Sequence, residues 1–332
     1  MAQPSADLQE IQLPQGTIRY RDAGSGEPIV FVHGLLVDGR LWRDVTPQLA
    51  DEFRCVVPDL PLGSHTIPMA EGTDLSPPGL ARILADLLEA LELDRVTLVG
   101  NDTGGAICQL VATRHSERLA RLVLTPCDAY KDFLPPAFRP LQWAARVPGL
   151  PGALFQPFRL DTVRRSPLGF GWLIKRRPLD SELLESWLRP SLEDPAVRRD
   201  AVEILRRIDN RFTLEAAERL REFDRPTLIA WATEDRFFKL RNGKRLAEAI
   251  PNARLELIED ARTFVPLEVA QAWVSMCPAQ VYEIPEEQLV NGASVVDLNI
   301  TPSNCVQCGA ITAKGGRLTP PEGGDGPLYQ ET

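Results

Sequence analysis

The stretch RVTLVGNDTGGAICQL, residues 95–110, decides the fold, because an apolar strand runs directly into a glycine-rich turn and then into a helix. Gly100 and Gly104 flank Asp102 at a spacing that lets a strand turn sharply into a helix. Such a turn holds the central side chain above the carboxyl edge of a sheet, at the N-terminus of the next helix. The alternative is an ordinary Asx turn in which Asp102 caps the helix, since Asp is a favoured N-cap residue.

Strand and helix patterns alternate on both sides of this turn. A continuous apolar run at 28–34 predicts a buried strand, 41–50 predicts a short amphipathic helix, and 78–93 predicts a longer one. This alternation predicts an α/β fold, a mostly parallel sheet with helices on both faces. Residues 131–222 hold no convincing buried strand, and the sheet pattern returns at 226–235. The intervening stretch is therefore predicted to be a helical insertion.

Charge and hydropathy exclude several classes of function. The net charge of −9 disfavours nucleic acid and anionic membrane surfaces as partners. No apolar run is long enough to predict a membrane-spanning helix, and the polar N-terminal segment lacks the basic and apolar regions of a signal peptide. We therefore expect a cytoplasmic protein that has no nucleic-acid or membrane partner.

A second glycine-containing loop, FVHGLLVDG at 31–39, follows the first buried strand. Its His33 and Gly34 resemble the oxyanion loop of α/β-hydrolases. The resemblance implies that the backbone N–H groups of Leu35 and Thr103 form an oxyanion hole beside the turn. A histidine in this position is expected to be structural rather than an acid or base.

The pattern of residues 1 to about 275 resembles the α/β-hydrolase superfamily, with a helical cap inserted after the sixth strand. The resemblance divides the chain into a core of residues 1–130 and 221–276, a cap of 131–220, and a tail of 277–332. The aspartate in GNDTGG is similar to the nucleophile of the haloalkane dehalogenase and epoxide hydrolase branch. In that branch the carboxylate attacks carbon to form an alkyl–enzyme ester, and a histidine held by an acid then activates water.

The acid that this branch requires has two candidates. LIAWATEDRFF ends a predicted strand, and its Asp235 matches the usual position of the family's acid. Asp128, in LTPCDAY after the sixth strand, matches the alternative position used by some dehalogenases. We expect Asp235 to be the acid, with Asp128 as the alternative.

The histidine of the family is missing from its usual place. The family's loop reads roughly Gly-His-Phe-x-Pro, whereas this chain reads ARTFVPLE at 261–268, so Thr263 stands at the histidine position. A threonine hydroxyl cannot act as a general base near neutral pH. Among the three histidines, His33, His65 and His115, we take His65 as the candidate replacement, because loops after strands gather at the active-site edge. The alternative for His65 is a loop residue without a catalytic role.

Two features of the named subfamilies are also absent. Dehalogenases place Trp directly after the nucleophile, where this chain has Thr103, and epoxide hydrolases use two cap tyrosines, where only Tyr130 lies near the cap. We therefore predict a small apolar electrophile as substrate, of unspecified class, and no cofactor for the hydrolase part. Aromatic residues of the cap are expected either to line an apolar pocket or to pack in a core; they are Trp143, Trp172, Trp187, Phe133, Phe155 and Phe158.

The tail, residues 277–332, resembles the ferredoxin-like segment of electron-transfer flavoprotein–ubiquinone oxidoreductase. The resemblance rests on CPAQVY, on NCVQC and on PEGGDGP, which occur in the family's order. It implies that Cys277, Cys305 and Cys308 are ligands of an iron–sulfur cluster, but Ile311 stands where the last cysteine is expected. Three thiolates predict a labile or three-iron cluster, or a degenerate segment without one.

Three hypotheses of function remain open at this point. The first is a hydrolase in which Asp102 is the nucleophile, Asp235 the acid, and turnover is weak or lost without the histidine. The second is an iron–sulfur electron-transfer module that works with a redox partner. The third is a ligand-binding protein without turnover.

Overall fold

A computed structural model describes most of the chain up to residue 258 and short segments beyond it: 8–135, 138–147, 150–166, 181–233, 235, 237–258, 264–266, 282–283, 295–297 and 299–300. The chain divides into two compact units, residues 1–257 and residues 258–332. The sequence placed this boundary later, after residue 276. In the described part of the chain, no helix is long and apolar enough to cross a membrane.

The main sheet has eight strands, β1 (Leu8–Leu13), β2 (Gly16–Ala23), β3 (Pro28–Val32), β4 (Arg54–Asp59), β5 (Val96–Asp102), β6 (Leu119–Cys127), β7 (Thr227–Ala232) and β8 (Ala253–Ile258). Their order across the sheet is β1-β2-β4-β3-β5-β6-β7-β8. The pairs from β4 through β7 are parallel, and β2 is antiparallel to both of its neighbours. The predicted α/β sheet is confirmed, and β1 is a strand that the sequence pattern did not reveal.

Ten α-helices lie in the described part of the chain: α1 (Thr46–Leu49), α2 (Pro77–Ala90), α3 (Thr103–Arg114), α4 (Arg139–Ala145), α5 (Leu150–Phe155), α6 (Asp161–Arg164), α7 (Ser181–Glu193), α8 (Pro195–Arg207), α9 (Asn210–Arg219) and α10 (Leu240–Ala249). Helices α4 to α9 fall between β6 and β7, where the cap was predicted. In the smaller unit, two short antiparallel pairs are described, Phe264–Pro266 with Val295–Asp297 and Tyr282–Glu283 with Asn299–Ile300.

The single helix predicted at 41–50 is wrong. The structure has a 3-10 turn at Gly39–Trp42 and then the one-turn helix α1. The physical reason is Pro47, which has no N–H to donate to the carbonyl four residues earlier and is tolerated only in the first turn of a helix. The helix therefore starts anew at Thr46.

The core explains why the central strands are continuously apolar. Val30 and Val32 of β3 and Leu98 of β5 have no exposed surface, because helices cover both faces of a parallel sheet. Three of the cap aromatics, Phe133, Phe155 and Trp187, are buried in apolar clusters, as expected for core packing. Trp143 is instead exposed to 66%, and Trp172 lies outside the described residues.

Cap helix α7 is joined to the loops that follow β3 and β4 by buried polar contacts. The Trp187 indole N–H donates to Asp38 at 3.0 Å, and the Ser191 hydroxyl donates to the Gly63 carbonyl at 2.5 Å. Asp38 is 5% exposed and also binds the Arg40 guanidinium. Since buried polar groups require partners, these contacts fix the cap over the carboxyl edge of the sheet.

Candidate active site

Asp102 has the backbone of a strained strand-to-helix turn and not that of a helix cap. Its φ is 55° and its ψ is −133°, whereas an N-cap residue has β-region angles. Its carboxylate accepts from the N–H of Thr103, the first residue of α3, rather than from the second or third helical N–H. A non-glycine residue in this region of φ/ψ costs about 1–3 kcal/mol and is typical of functional sites. The geometry therefore disfavours the Asx-cap alternative.

Glycines bring the two loops into contact around this carboxyl. A Cβ on Gly34 would collide with the Asp102 side chain, and a Cβ on Gly104 would collide with the His33 carbonyl. The backbone of the loop after β3 can therefore lie directly against Asp102 only because residue 34 has no side chain. The sequence patterns H-G-L and G-N-D-T-G therefore provide the two sides of a single contact between the loops.

Two backbone amides from different loops act on the Asp102 carboxyl. The Thr103 N–H donates to Oδ1 at 2.7 Å, and the Leu35 N–H of the other loop lowers the pKa of the same carboxyl. The Thr103 hydroxyl is close as well, 3.4 Å from Oδ1. Backbone donors aimed at one carboxyl from two loops are suited to hold negative charge that develops on it during a reaction.

The protonation of Asp102 is set by opposing effects. Burial disfavours the charged form and raises the pKa of Asp102 to about 6. The Thr103 and Leu35 amides act in the opposite direction, and the negative charge of Asp235 adds to the effect of burial; the value of about 6 is the balance of these effects. Asp102 is therefore mostly ionised at neutral pH, as a nucleophile must be.

The two candidate acids lie in different surroundings. Asp235 is half-buried, and its Oδ1 accepts from the N–H groups of Phe237 and Phe238 at 2.8 and 2.7 Å. Asp128 is completely buried, and the Thr103 hydroxyl lies 3.0 Å from its Oδ2. Burial raises the pKa of both carboxyls. Both candidate acids thus lie in the neighbourhood of Asp102. Asp235 is the less buried of the two and is therefore better able to hold a histidine.

His33 is a structural residue, as the sequence predicted. It is completely buried; its Nε2 accepts from the Leu60 N–H at 2.9 Å, and its Nδ1–H donates to the Gly34 carbonyl at 2.8 Å. In the neutral form of the ring, both nitrogens therefore have hydrogen-bond partners. Burial lowers the pKa of His33, so it supports the oxyanion loop without exchanging protons.

His65 is paired with the cap and not with Asp102. Its Nδ1 accepts from the Gly63 N–H at 3.3 Å, and its Nε2 lies 3.3 Å from Oδ2 of Asp200 on α8. His65 and Asp200 are only 4% and 1% exposed. All three histidines of the chain lie in the described part, and none of them forms a hydrogen bond with Asp102 or Asp235.

Asp200 is the partner of His65, and the sequence pattern did not reveal this pairing. It also accepts from the Met69 N–H at 2.8 Å and from the Arg199 guanidinium at 2.8 Å. Burial acts to raise the pKa of Asp200, but the hydrogen bond from His65 and the other donors outweigh it and lower the pKa. A signal existed, because Asp200 falls on the apolar stripe of α8 between Val197 and Ile204. Carboxylates on such a stripe require partners.

Four residues named from the sequence cannot be placed in this geometry. Thr263, Cys277, Cys305 and Cys308 lie outside the described residues. In the described part of the chain, no group of three or more metal-binding side chains is assembled.

The ionisation of Asp102 is expected to reduce the stability of the native state. Its native pKa of about 6 exceeds the value of about 3.9 in an unfolded chain. Its contribution to stability is therefore fully present below pH 4 and is lost as the pH rises through 6. At pH 8 the free energy of unfolding of Asp102→Asn should exceed that of the wild type by on the order of 2 kcal/mol, and this gain should fade towards pH 4.

Urea unfolding at several pH values tests this expectation. The exposed Asp44 provides the matched control, since Asp44→Asn changes the same functional group at the surface. A gain for Asp102→Asn that is independent of pH, or that is equalled by Asp44→Asn, contradicts the assignment of a raised pKa to Asp102.

Comparisons with known proteins agree with this fold. Residues 27–269 match the family described as alpha/beta hydrolase fold. The chain is 28% identical over 261 residues to cis-3-alkyl-4-alkyloxetan-2-one decarboxylase of Shewanella oneidensis, over 75% of this chain and 80% of that protein. It is 29% identical over 260 residues to haloalkane dehalogenase 2 of Mycobacterium tuberculosis, over 76% of this chain and 86% of that protein.

A second family matches the end of the chain, and solved structures match its larger part. Residues 259–330 match the family described as electron transfer flavoprotein-ubiquinone oxidoreductase, 4Fe-4S. An ancestral haloalkane dehalogenase, AncHLD2, superposes with a TM-score of 0.61 at 22% identity, over 76% of this chain and 90% of that one. An α/β-hydrolase fold protein from Burkholderia ambifaria superposes with a TM-score of 0.64 at 23% identity, over 76% and 89%. Since the first family match spans well over half of the sequence, this chain belongs to the α/β-hydrolase fold family.

Proposed function

We propose that this protein uses Asp102 as a nucleophile towards a small apolar electrophile and forms an alkyl–enzyme ester. The supporting observation is the half-buried carboxyl at φ 55°, which receives the amides of Thr103 and Leu35 from two different loops. In the proposed step, a carboxylate oxygen bonds to carbon while a carbon–halogen bond breaks and the halide leaves. The similarity to a haloalkane dehalogenase over most of the chain supports the same chemistry.

The second half of a dehalogenase reaction requires a base, and among the described residues no histidine forms a hydrogen bond with Asp102. Hydrolysis of the ester needs a group that takes a proton from water, and loss of such a group costs about 10² to 10⁴-fold in rate. His33 and His65 are held by other partners, and residue 263 is a threonine. We therefore propose that esters from simple haloalkanes persist on Asp102.

Intact-mass measurement after incubation with haloalkanes and epoxides tests the proposal. The expected result is a stable mass increase, located on Asp102 by peptide mapping. It equals the alkyl group less one hydrogen for a haloalkane, whose halide leaves, and the whole epoxide for an epoxide, whose ring opens without a leaving group. Asp102→Asn, which keeps the size of the side chain, should show none. The proposal fails if the adduct persists in Asp102→Asn, or if neither class of electrophile modifies the wild-type protein.

A second candidate function is favoured by the missing base. The relative from Shewanella oneidensis is a decarboxylase of cis-3-alkyl-4-alkyloxetan-2-ones, which are four-membered lactones. In such a ring, Asp102 would attack C4 and break the C4–O bond, which leaves a carboxylate on the opened chain. The C2–C3 bond then breaks, its electrons form the C3=C4 double bond, CO₂ leaves, and the Asp102 carboxylate departs from C4. No water and no proton are consumed, so this cycle needs no histidine.

Product analysis with a cis-3,4-dialkyl oxetan-2-one separates the two candidates. Repeated turnover to an alkene and CO₂, lost in Asp102→Asn, supports the decarboxylation. A stable adduct without alkene supports the first candidate, in which Asp102 forms an ester that is not hydrolysed.

For the tail, we propose that no four-thiolate cluster is bound. Clusters of this kind take four cysteine thiolates, and the matched segment supplies Cys277, Cys305 and Cys308, with Ile311 at the remaining position. The donor set does not fit the four-iron cluster in the family's description, so no reaction step involves it here. Ile311→Cys is expected to restore binding of about four irons per chain after anaerobic reconstitution, with wild type well below that.

Iron analysis and the visible spectrum of both proteins test this prediction. Ile311→Ser is the matched control, because it is also polar and small but supplies no thiolate. A full iron complement in the wild-type protein would contradict the proposal and favour the electron-transfer hypothesis with its redox partner.

A further inference from the structure

The Thr103 hydroxyl lies between two carboxyls that compete for its proton. Its Oγ1 is 3.0 Å from Oδ2 of Asp128 and 3.4 Å from Oδ1 of Asp102. Thr103 is 1% exposed and Asp128 is 0% exposed, so no bulk water serves either group. A hydroxyl has only one proton to donate. If both carboxyls were ionised, one of them would lose this hydrogen bond.

Asp128 lacks the partners that a buried carboxylate requires. Within the described part of the chain, its Oδ1 has no hydrogen-bond partner, and its Oδ2 has only the Thr103 hydroxyl. An ionised carboxylate with one oxygen unpaired in the interior is costly, and a neutral acid is the usual outcome.

The charges around Asp128 favour the same state. Asp102 and Asp132 face it with negative charge, and burial keeps the neighbouring Cys127 thiol neutral by raising its pKa. Arg241 pairs with Asp132, at 3.5 Å, and not with Asp128. Among the described residues no cation forms an ion pair with Asp128. Burial and the charge of Asp102 together raise the pKa of Asp128 well above its usual range.

We propose that a protonated Asp128 donates to the Thr103 oxygen and thereby turns the Thr103 hydroxyl towards Asp102 as a further hydrogen-bond donor beside the Thr103 N–H. The chain runs from Asp128 Oδ2–H to Thr103 Oγ1 and from Thr103 Oγ1–H to Asp102 Oδ1. Thr103 is then a catalytic residue and Asp128 is a positioning residue. The consequence rests on the proposed function: the added donor helps to keep Asp102 ionised for attack on carbon, and in the lactone cycle it makes the Asp102 carboxylate a better leaving group from C4.

The pKa of Asp102 reports this chain without any substrate. It is measured by NMR titration of carboxyl-labelled aspartate in the full-length protein, and its signal is assigned by its absence in Asp102→Asn. Thr103→Val keeps the shape and removes the hydroxyl, and is expected to raise the pKa of Asp102 by roughly 0.5 to 1, the value of one neutral hydrogen bond. Thr103→Ser keeps the hydroxyl and should leave the pKa unchanged.

Asp128→Asn distinguishes a neutral from an ionised Asp128. The Asn amide N–H donates to Thr103 as the protonated acid does, so the pKa of Asp102 should stay where it is. A clear fall of the pKa of Asp102 in Asp128→Asn would show that a negative charge had been removed, and it overturns the proposal. An unchanged pKa in Thr103→Val overturns it as well. Neither readout depends on alkylation, so failure of the proposed function remains a separate result.

Discussion

Thr263→His is expected to hydrolyse haloalkanes about 10² to 10⁴-fold faster than the wild-type protein, because it supplies the base that ester hydrolysis requires. In the proposed mechanism, Asp235 is the acid that would hold this histidine. Oδ1 of Asp235 accepts the N–H groups of Phe237 and Phe238, and among the described residues no donor reaches Oδ2. Halide release over many turnovers, measured beside the intact mass of the enzyme, gives the result. Adduct mass should fall as turnover rises.

Two controls assign this gain to the pairing of histidine with Asp235. Thr263→Ala removes the same hydroxyl and should leave turnover at the wild-type level. Adding Asp235→Asn to Thr263→His should remove most of the gain, since the neutral amide cannot stabilise a charged imidazole in the same way.

Two outcomes would contradict the role assigned to the missing histidine. If wild-type protein already turns over and His65→Phe abolishes that turnover, then His65 leaves its contact with Asp200 and acts as the base. A Thr263→His variant that is as stalled as wild type, with its fold intact, would show that the missing histidine is not the cause.

The sheet was predictable because the central strands carry their own signal. Residues 29–32 are continuously apolar and residues 96–100 are nearly so, as a strand covered on both faces must be. The glycines around Asp102 were equally informative, since a close backbone approach excludes any side chain at Gly34 and Gly104. Local constraints of this kind can be recognised in short stretches of sequence.

Long-range pairings were not predictable from the same sequence. The contact of His65 with Asp200 joins residues 135 positions apart, and the sequence around His65 does not indicate it. The position of the Thr103 hydroxyl between two carboxyls also depends on how β5 and β6 are paired, because Asp128 follows β6. β1 escaped notice because its burial is slight: five of its six residues keep exposed or half-exposed surface. Its alternation is therefore weak.

Alkylation of Asp102 is expected to slow roughly 30-fold between pH 7 and pH 4.5. Only the carboxylate attacks carbon, and burial places the pKa of Asp102 at about 6, so the ionised fraction falls about tenfold per pH unit below that value. An exposed aspartate, with a pKa near 3.9, would lose little of its reactivity over the same range. The rate of adduct formation, followed by intact mass under single-turnover conditions, measures the midpoint directly.

Asp235→Asn tests the origin of this midpoint. The charge of Asp235 is one of the causes that raise the pKa of Asp102, so its removal should shift the profile towards lower pH without abolishing alkylation. Asp44→Asn, at the surface, should leave the profile unchanged. A midpoint near 4 in the wild-type protein would mean that Asp102 is hydrated like an exposed side chain. The carboxyl would then not be the desolvated nucleophile on which the proposed chemistry depends.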